Sequence, residues 1–253
     1  MITVVILGFG NVGSHLFKVF ENTPGTRVLQ VYTRSMSKET THNKRFVSNI
    51  LDITPLADVY IAAVPDDTIH HITSQLDFTN KLVVHTSGGA ALEHCSNNNR
   101  KGVFYPLQTF SKNKAVDFKN IPICVEADNK EDLSLLTNLG ALISQKVCTI
   151  TSSERSKLHV AAVFVNNFVN ELYHISEDIL TIQQLDFNLL APLIKETANK
   201  IEYLTPALAQ TGPAKRGDKK TIRTHQQLLT TQQKEVYQLL TSSIQKRNIS
   251  QDE

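Results

Sequence analysis

The sequence predicts an α/β fold: a doubly wound, mostly parallel sheet over residues 1–151, then an all-helical domain over residues 152–253. Two observations carry this. Short apolar runs alternate with segments of helical period as far as residue 150, after which only helical periodicity remains. At the N-terminal end, the apolar run Ile2–Leu7 feeds directly into Gly8-Phe9-Gly10-Asn11-Val12-Gly13. Val12, Leu16, Val19 and Phe20 then recur at helical spacing until Thr23-Pro24-Gly25.

A G-x-G-x-x-G pattern between a strand and a helix has a specific chemistry. Gly8 allows the tight turn, Gly10 leaves the backbone open to a pyrophosphate, and Gly13 lets the helix pack close to the strand. The helix N-terminus offers free N–H groups and a positive dipole end to the phosphates. A dinucleotide is the expected ligand, with Gly8, Phe9, Gly10, Asn11, Val12 and Gly13 as its cradle.

The next strand, Arg27–Tyr32, leads into Thr33-Arg34-Ser35. At this tip an Asp or Glu binds the ribose 2′-hydroxyl of NAD, whereas an Arg accommodates the 2′-phosphate of NADP. Arg34 beside two hydroxyls, with Lys38 near, predicts NADP as cofactor, with NAD second. A solvated loop arginine is the alternative.

Residues 36–56 are polar, and one irregular helix and a short strand at Phe46-Val47 are expected there. Asp58–Val64 reads as a buried strand stopped by Pro65, with Asp66 or Asp67 capping a helix from Thr68 to Leu76. Its end, Ala63-Val64-Pro65, is expected to pass beneath the cofactor. Lys81–His85 is the next strand and ends in Thr86-Ser87-Gly88-Gly89-Ala90. Thr86 is expected at the cofactor, and Ser87 and Gly88 at a small-molecule substrate. Ordinary loop chemistry explains this segment equally well. Gly102–Phe110 reads as a strand entering a polar loop that carries Gln108. Strands at Ile121–Glu126 and Ser144–Ile150, with a helix over Asn129–Leu142 between them, complete the first domain.

Ser153 is the expected cap of a helix running to Ile182, on the order of 45 Å long. On a regular helix His159, Asn166 and Asn170 share one face within an apolar middle. Such polar groups either line a cleft or bond across a helix interface. His159 is the best general acid–base candidate by chemistry. A second helix is expected over Leu189–Leu204, disturbed by Pro206. Thr211-Gly212-Pro213-Ala214-Lys215-Arg216-Gly217-Asp218 is then a turn-rich loop, with Asp218 capping a helix from Lys219 to about Leu229. It holds Arg216 toward a carboxylate or phosphate, or else simply presents solvated cations. Thr230 and Gln233 form a capping-box pattern before a last helix, Gln232–Lys246, and the tail to Glu253 reads as frayed.

Composition narrows the function classes. With 26 Lys and Arg against 24 Asp and Glu, no global field points to nucleic acid or to a membrane surface. No apolar stretch is long enough for a bilayer, and the Ile2–Leu7 run has no basic region before it, unlike a signal peptide. Cys95, Cys124 and Cys148 lie far apart with no C-x-x-C pair, which predicts a reducing, cytoplasmic setting and no metal site.

The whole chain resembles the Rossmann-like plus DUF2520 family of bacterial proteins. The resemblance is carried by Gly8–Gly13, Val64-Pro65-Asp66, His85-Thr86-Ser87-Gly88, Phe104–Phe110, the His159/Asn166 helix and Thr211-Gly212-Pro213 with Arg216-Gly217-Asp218. That family is similar to pyrroline-5-carboxylate reductases and to the F420-dependent NADP oxidoreductase-like group, and its helical part to the C-terminal domain of 6-phosphogluconate dehydrogenases. F420 is accordingly the third cofactor choice. Ser87-Gly88-Gly89 also resembles the substrate loop of β-hydroxyacid dehydrogenases. Those enzymes carry a glycine-rich helix with Lys-x-x-x-Asn, whereas here no glycine is present and Lys157 is followed by Ala161.

Two functional readings follow. The first is an NADP-dependent oxidoreductase acting on a small C=O or C=N substrate in an interdomain cleft. His159, Asn166 and Ser87 would be catalytic, and Ser87, Gly88, Gln108, Thr211, Gly212, Arg216 and Asp218 would bind substrate. The second is an NADP-binding regulatory or scaffold dimer without turnover. Both expect a homodimer, because the Ser153–Ile182 helix is too long and apolar for its own subunit to cover.

Overall fold

The computed structural model describes residues 1–35 and 42–249. Lys38 lies outside the described residues; of the segment 36–56, residues 42–56 hold the expected short strand and, in place of an irregular helix, a 3-10 turn at Ile50–Asp52. In chain order the elements are β1 (Ile2–Leu7), α1 (Asn11–Glu21), β2 (Thr26–Tyr32), β3 (Phe46–Val47), β4 (Val59–Ala62), α2 (Ile69–Ser74), β5 (Leu82–His85), β6 (Arg100–Pro106), β7 (Ile123–Ala127), α3 (Lys130–Ile143) and β8 (Val147–Thr149). Helices follow: α4 (Ser152–Val163), a π-helical turn (Phe164–Phe168), α5 (Val169–Ile182), α6 (Ala191–Lys200), α7 (Pro206–Ala209), α8 (Pro213–Arg216), α9 (Lys219–Gln227) and α10 (Thr231–Ile249).

The strands form one sheet in the order β3-β2-β1-β4-β5-β6-β7-β8. β1 to β6 pair in parallel, β7 runs antiparallel to β6, and β8 parallels β7. The continuous apolar runs are buried on both faces, as a helix-covered parallel sheet requires. Val4, Ile6, Ile61 and Val84 join Leu16, Phe20, Leu136 and Leu139 of α1 and α3 on one side. Val5, Leu7, Tyr60 and Val83 meet Ile69 and Ile72 of α2 on the other. Between β1 and β4 the strand order reverses direction, which opens a crevice at their carboxyl ends.

Local signals decide the helix ends, and several differ from the sequence expectation. α4 is capped by Thr151, not Ser153: Thr151 and Glu154 form a reciprocal capping box. Neither Asp66 nor Asp67 caps α2. They sit in a 3-10 turn, and the N-cap Thr68 makes no side-chain capping bond, its hydroxyl donating instead to Pro65 O at 2.8 Å. The helix expected over Leu189–Leu204 begins as a 3-10 turn capped by Asp186 and ends at Lys200, well before Pro206. Pro206 opens α7 instead, where its missing N–H costs nothing. The Thr230–Gln233 box is present, with reciprocal bonds of 3.1 and 3.4 Å. The π turn has i→i+5 bonding, so the shared face inferred for His159, Asn166 and Asn170 from 100° per residue does not extend past Val163.

The chain divides into two compact units, Met1–Asn166 and Asn167–Glu253. The first keeps α4 because Ser152, Arg155 and His159 bond to loops and strands of the sheet domain. The second holds only two buried apolar side chains among the described residues, Ala214 and Ile222. No helix of the described residues is long and apolar enough to cross a membrane.

Candidate functional site

The glycine turn is built for a backbone-lined anion site. Gly8 has φ +105°, and a Cβ there would lie 2.5 Å from the Ala63 carbonyl oxygen and 2.8 Å from Val64 Cγ1. A Cβ on Gly13 would collide with the Gly8 carbonyl, whereas one on Gly10 would meet nothing within 4 Å. Thus two glycines bring the chain together and the third faces open space. Gly10 is the N-cap of α1, which has no capping side chain and no acidic residue in its first turn. The N–H groups of Asn11, Val12 and Gly13 are therefore the orphan donors of the helix, available to a phosphate. Phe9 points elsewhere: its ring packs edge-on against Phe17 and Phe46, which leaves its backbone to serve a ligand.

Flanking pieces converge on the same rim. Ala63 N donates to Leu7 O, so Ala63-Val64-Pro65 leaves β4 beside the glycine turn, and Thr86 N donates to Ala62 O. At the β2 tip, Thr33 donates its hydroxyl to Ser35 O, and Arg34 and Ser35 are exposed. This set fits a dinucleotide.

Beside it, β5 and β6 deliver a second cluster. Tyr105 Oη and His159 Nδ1 are hydrogen-bonded at 3.2 Å. The pair closes around Gly88, where a Cβ would lie 2.5 Å from His159 Nδ1 and 2.8 Å from Tyr105 Cζ. Burial raises the Tyr105 hydroxyl above its ordinary value, Cys124 adds to this, and the Arg155 cation works against it. Ser87 is buried, and its oxygen accepts N–H bonds from Gly89 (3.1 Å) and Ala90 (2.9 Å), which shapes the loop and leaves it one proton to donate. His85 Nδ1 accepts from Ser87 N at 3.2 Å, so its proton sits on Nε2 and is donated to Ala91 O at 3.1 Å.

Beneath the loop lies a residue that periodicity alone passed over. Arg155 is fully buried, pairs with Glu126 and donates to Ala90 O and to Ser152 Oγ, while its Nε has no hydrogen-bond partner. Glu126 also accepts from Ser152 N and Oγ, both at 2.8 Å, and Leu92 N donates to Ser152 Oγ. Ser152, Arg155 and His159 share one helix face at i, i+3 and i+7. α4 is thereby tied to β7 and the Gly88 loop, which sets His159 in place. The only sequence signal was an arginine four residues before His159. Tyr105 stood in the motif that carries the resemblance, but had no role assigned.

The remaining expected residues are placed less centrally. Gln108 is exposed, with its side-chain oxygen accepting from Thr109 N at 2.8 Å. Asn166 lies in the π turn. Thr211, Gly212, Arg216 and Asp218 belong to the second unit. There Gly212 (φ +100°) and Gly217 (φ +67°) frame α8, and Asp218 caps α9 by accepting from Thr221 N at 3.0 Å. Among the described residues no cluster of three or more His, Cys, Asp or Glu could hold a metal ion.

His85 makes stability depend on pH in a defined direction. Burial, then the Arg155 cation, push it down to about 4. Between the unfolded value near 6.5 and about 4, the unfolded chain takes up a proton that the folded one refuses. Stability is therefore full above about pH 6.5 and falls toward pH 4, by about 3 kcal/mol for this group. In urea titrations across that window, the stability difference between the wild type and His85→Asn should shrink by about that amount as pH falls. A constant difference would remove His85 as the cause.

Comparisons with known proteins agree with this fold. Residues 121–244 match the family profile described as Domain of unknown function (DUF2520). A proposed NADP oxidoreductase from Bacteroides fragilis is 34% identical, with 97% of this chain and 98% of that chain covered and a TM-score of 0.84. A 1-pyrroline-5-carboxylate reductase from Streptococcus pyogenes (10% identity, 98% of each chain, TM-score 0.62) shares the fold. So does an imine reductase from Myxococcus stipitatus in complex with NADP+ (13% identity, 96% and 92%, TM-score 0.63). No curated protein sequence matches. With a one-third-identical relative aligned over nearly its whole length, the chain belongs to the Rossmann-fold family that carries the DUF2520 domain.

Proposed function

We propose that the protein is an NADP-dependent oxidoreductase that reduces or forms a small C=O or C=N bond. The observation that carries the reading is the Tyr105–His159 pair clasped around Gly88, beside a glycine turn open at Gly10. Fold relatives that reduce imines and pyrroline carboxylate support the substrate class. When bound, the dinucleotide supplies or accepts the hydride. Everything else is the work of this chain's own groups. Asn11, Val12 and Gly13 N–H hold the pyrophosphate, and Arg34, with Thr33 and Ser35, takes the 2′-phosphate. Ala63-Val64-Pro65 and Thr86 border the nucleotide.

Hydride addition leaves an oxygen or nitrogen in need of a proton. Tyr105 keeps its proton at neutral pH, because burial disfavours the phenolate. With its proton on Nδ1, His159 donates to the phenol oxygen, which orients the phenol proton and favours its departure. Gly88 leaves room for the pair, and Ser87 fixes the loop while offering its remaining proton to the substrate.

Two measurements test this. Arg34→Asp should weaken NADPH binding about 10- to 100-fold and leave NADH binding unchanged, as removal of a charge-assisted contact predicts. Calorimetric titration of both nucleotides decides it, and equal affinities in the wild type would sink the NADP assignment. Tyr105→Phe and His159→Asn should each lower turnover of an imine or carbonyl substrate by about 10²- to 10⁴-fold with NADPH affinity kept. Saturable NADPH binding without oxidation across a panel of such substrates would instead favour a regulatory dinucleotide-binding protein.

We also propose that a second copy of the chain covers the second unit. Phe168, Ile182, Leu189, Leu193 and Leu208 are all at least half exposed there, and among the described residues of that unit only two apolar side chains are buried. Obligate dimers bury such faces against their own copy, over about 2,000–5,000 Å². Light scattering at micromolar concentration should give twice the chain mass, and a stable monomer would refute the dimer.

A further inference from the structure

Tyr105, Cys124 and Cys148 form a row across three strands. Tyr105 of β6 faces Cys124 of β7 in register, and Cys124 faces Cys148 of β8 in register. In-register neighbours project to the same side of a sheet. Adjacent strands lie about 4.8 Å apart, inside the span of about 4.4–6.8 Å between Cα atoms that a disulfide bridges. Both thiols are free. β8 is a three-residue strand at the sheet edge, paired to β7.

The two thiols differ in a way that divides the work. Cys148 is exposed and open to a dissolved oxidant. Cys124 is buried, packed with Tyr105 and Val103 and against Leu158, and burial together with the Cys148 thiol pushes it up to about 11. Buried as a neutral thiol, it reacts second and not first. Cys95 lies in a separate apolar cluster, where burial pushes it up to about 12, and it serves as an internal control.

We propose that Cys124 and Cys148 are a dithiol site oxidised by hydroperoxides, closing to a disulfide next to the Tyr105 ring. The Cys148 thiolate attacks the distal peroxide oxygen, the O–O bond breaks, and a sulfenic acid and hydroxide (or alkoxide) result. Cys124 sulfur then attacks the Cys148 sulfur, the S–O bond breaks, and water leaves with the Cys124 proton. Two thiols are oxidised, one peroxide is reduced, and the atoms balance. Dithiothreitol returns both thiols. The disulfide replaces a thiol in direct register with the hydrogen-bonded tyrosine, so the redox state of the sheet edge reaches the candidate acid. That link rests on the proposed function, whereas the oxidation itself does not.

Full-length folded protein treated with hydrogen peroxide is the test, read by intact mass, peptide mapping and thiol titration. The wild type should lose about 2 Da, yield a peptide linking Cys124 to Cys148, and drop from three titratable thiols under denaturing conditions to one, reversibly. Cys124→Ser should instead gain about 32 Da as Cys148 proceeds to sulfinic acid, and Cys148→Ser should resist the same dose. Overturning results are oxygen uptake at Cys148 in the wild type with Cys124 still a thiol, a disulfide joining two chains, or no reaction. A disulfide that forms without altering NADPH-dependent turnover would leave the dithiol intact and remove only its link to Tyr105.

Discussion

The buried Arg155–Glu126 pair is the constraint on which the candidate site depends. A guanidinium with no solvent exposure is expensive, and here one of its nitrogens has no acceptor at all. Buried ion pairs of this kind add little net stability, and apolar residues of similar volume often serve as well or better. What this pair supplies is position. One side chain reaches β7 through Glu126, the Gly88 loop through Ala90 O and the first turn of its own helix through Ser152. Three segments distant in sequence thus share one rigid centre, and His159, a single turn further along, inherits its placement from it.

The same charge shapes the electrostatics above it. Arg155 helps keep His85 neutral, which preserves the tautomer that accepts from Ser87 N and donates to Ala91 O. It also offsets part of the rise that burial imposes on Tyr105. A phenol raised without limit would be a poor proton donor, and a nearby cation moderates it without forming a direct bond. Positioning and tuning therefore come from one residue.

Much of the fold was legible because its signals are local. Period-2 and period-3.6 patterns depend on neighbours within a few residues, and the glycine turn carries its own geometry. The strands, the glycine turn before α1, the Asp218 cap and the Thr230–Gln233 box were all readable for that reason. The antiparallel entry of β7 was not, since direction in a sheet is set by a loop crossing and leaves no mark in the pattern of the strand. The π turn at Phe164–Phe168 likewise defeated a projection that assumes a constant angle per residue. Of the site, His159 stood out as a histidine in an apolar stretch. Tyr105 and Arg155 acquire meaning only from partners 54 and 29 residues away.

Gly88 shows how tightly the two halves of the site are linked. A glycine in a loop after a strand suggests conformational freedom, but this position has none of the positive φ that demands it. What excludes a side chain is the space taken by Tyr105 and His159, whose atoms lie within 2.8 Å of where a Cβ would sit. The glycine is therefore required by the contact between a strand and a helix, and the Ser87 oxygen, accepting from Gly89 N and Ala90 N, shapes the loop that carries it. Because His159 is fixed through Arg155 and Tyr105 through the sheet, neither can retreat. The Tyr105–His159 hydrogen bond is kept only while the loop stays bare at that one position.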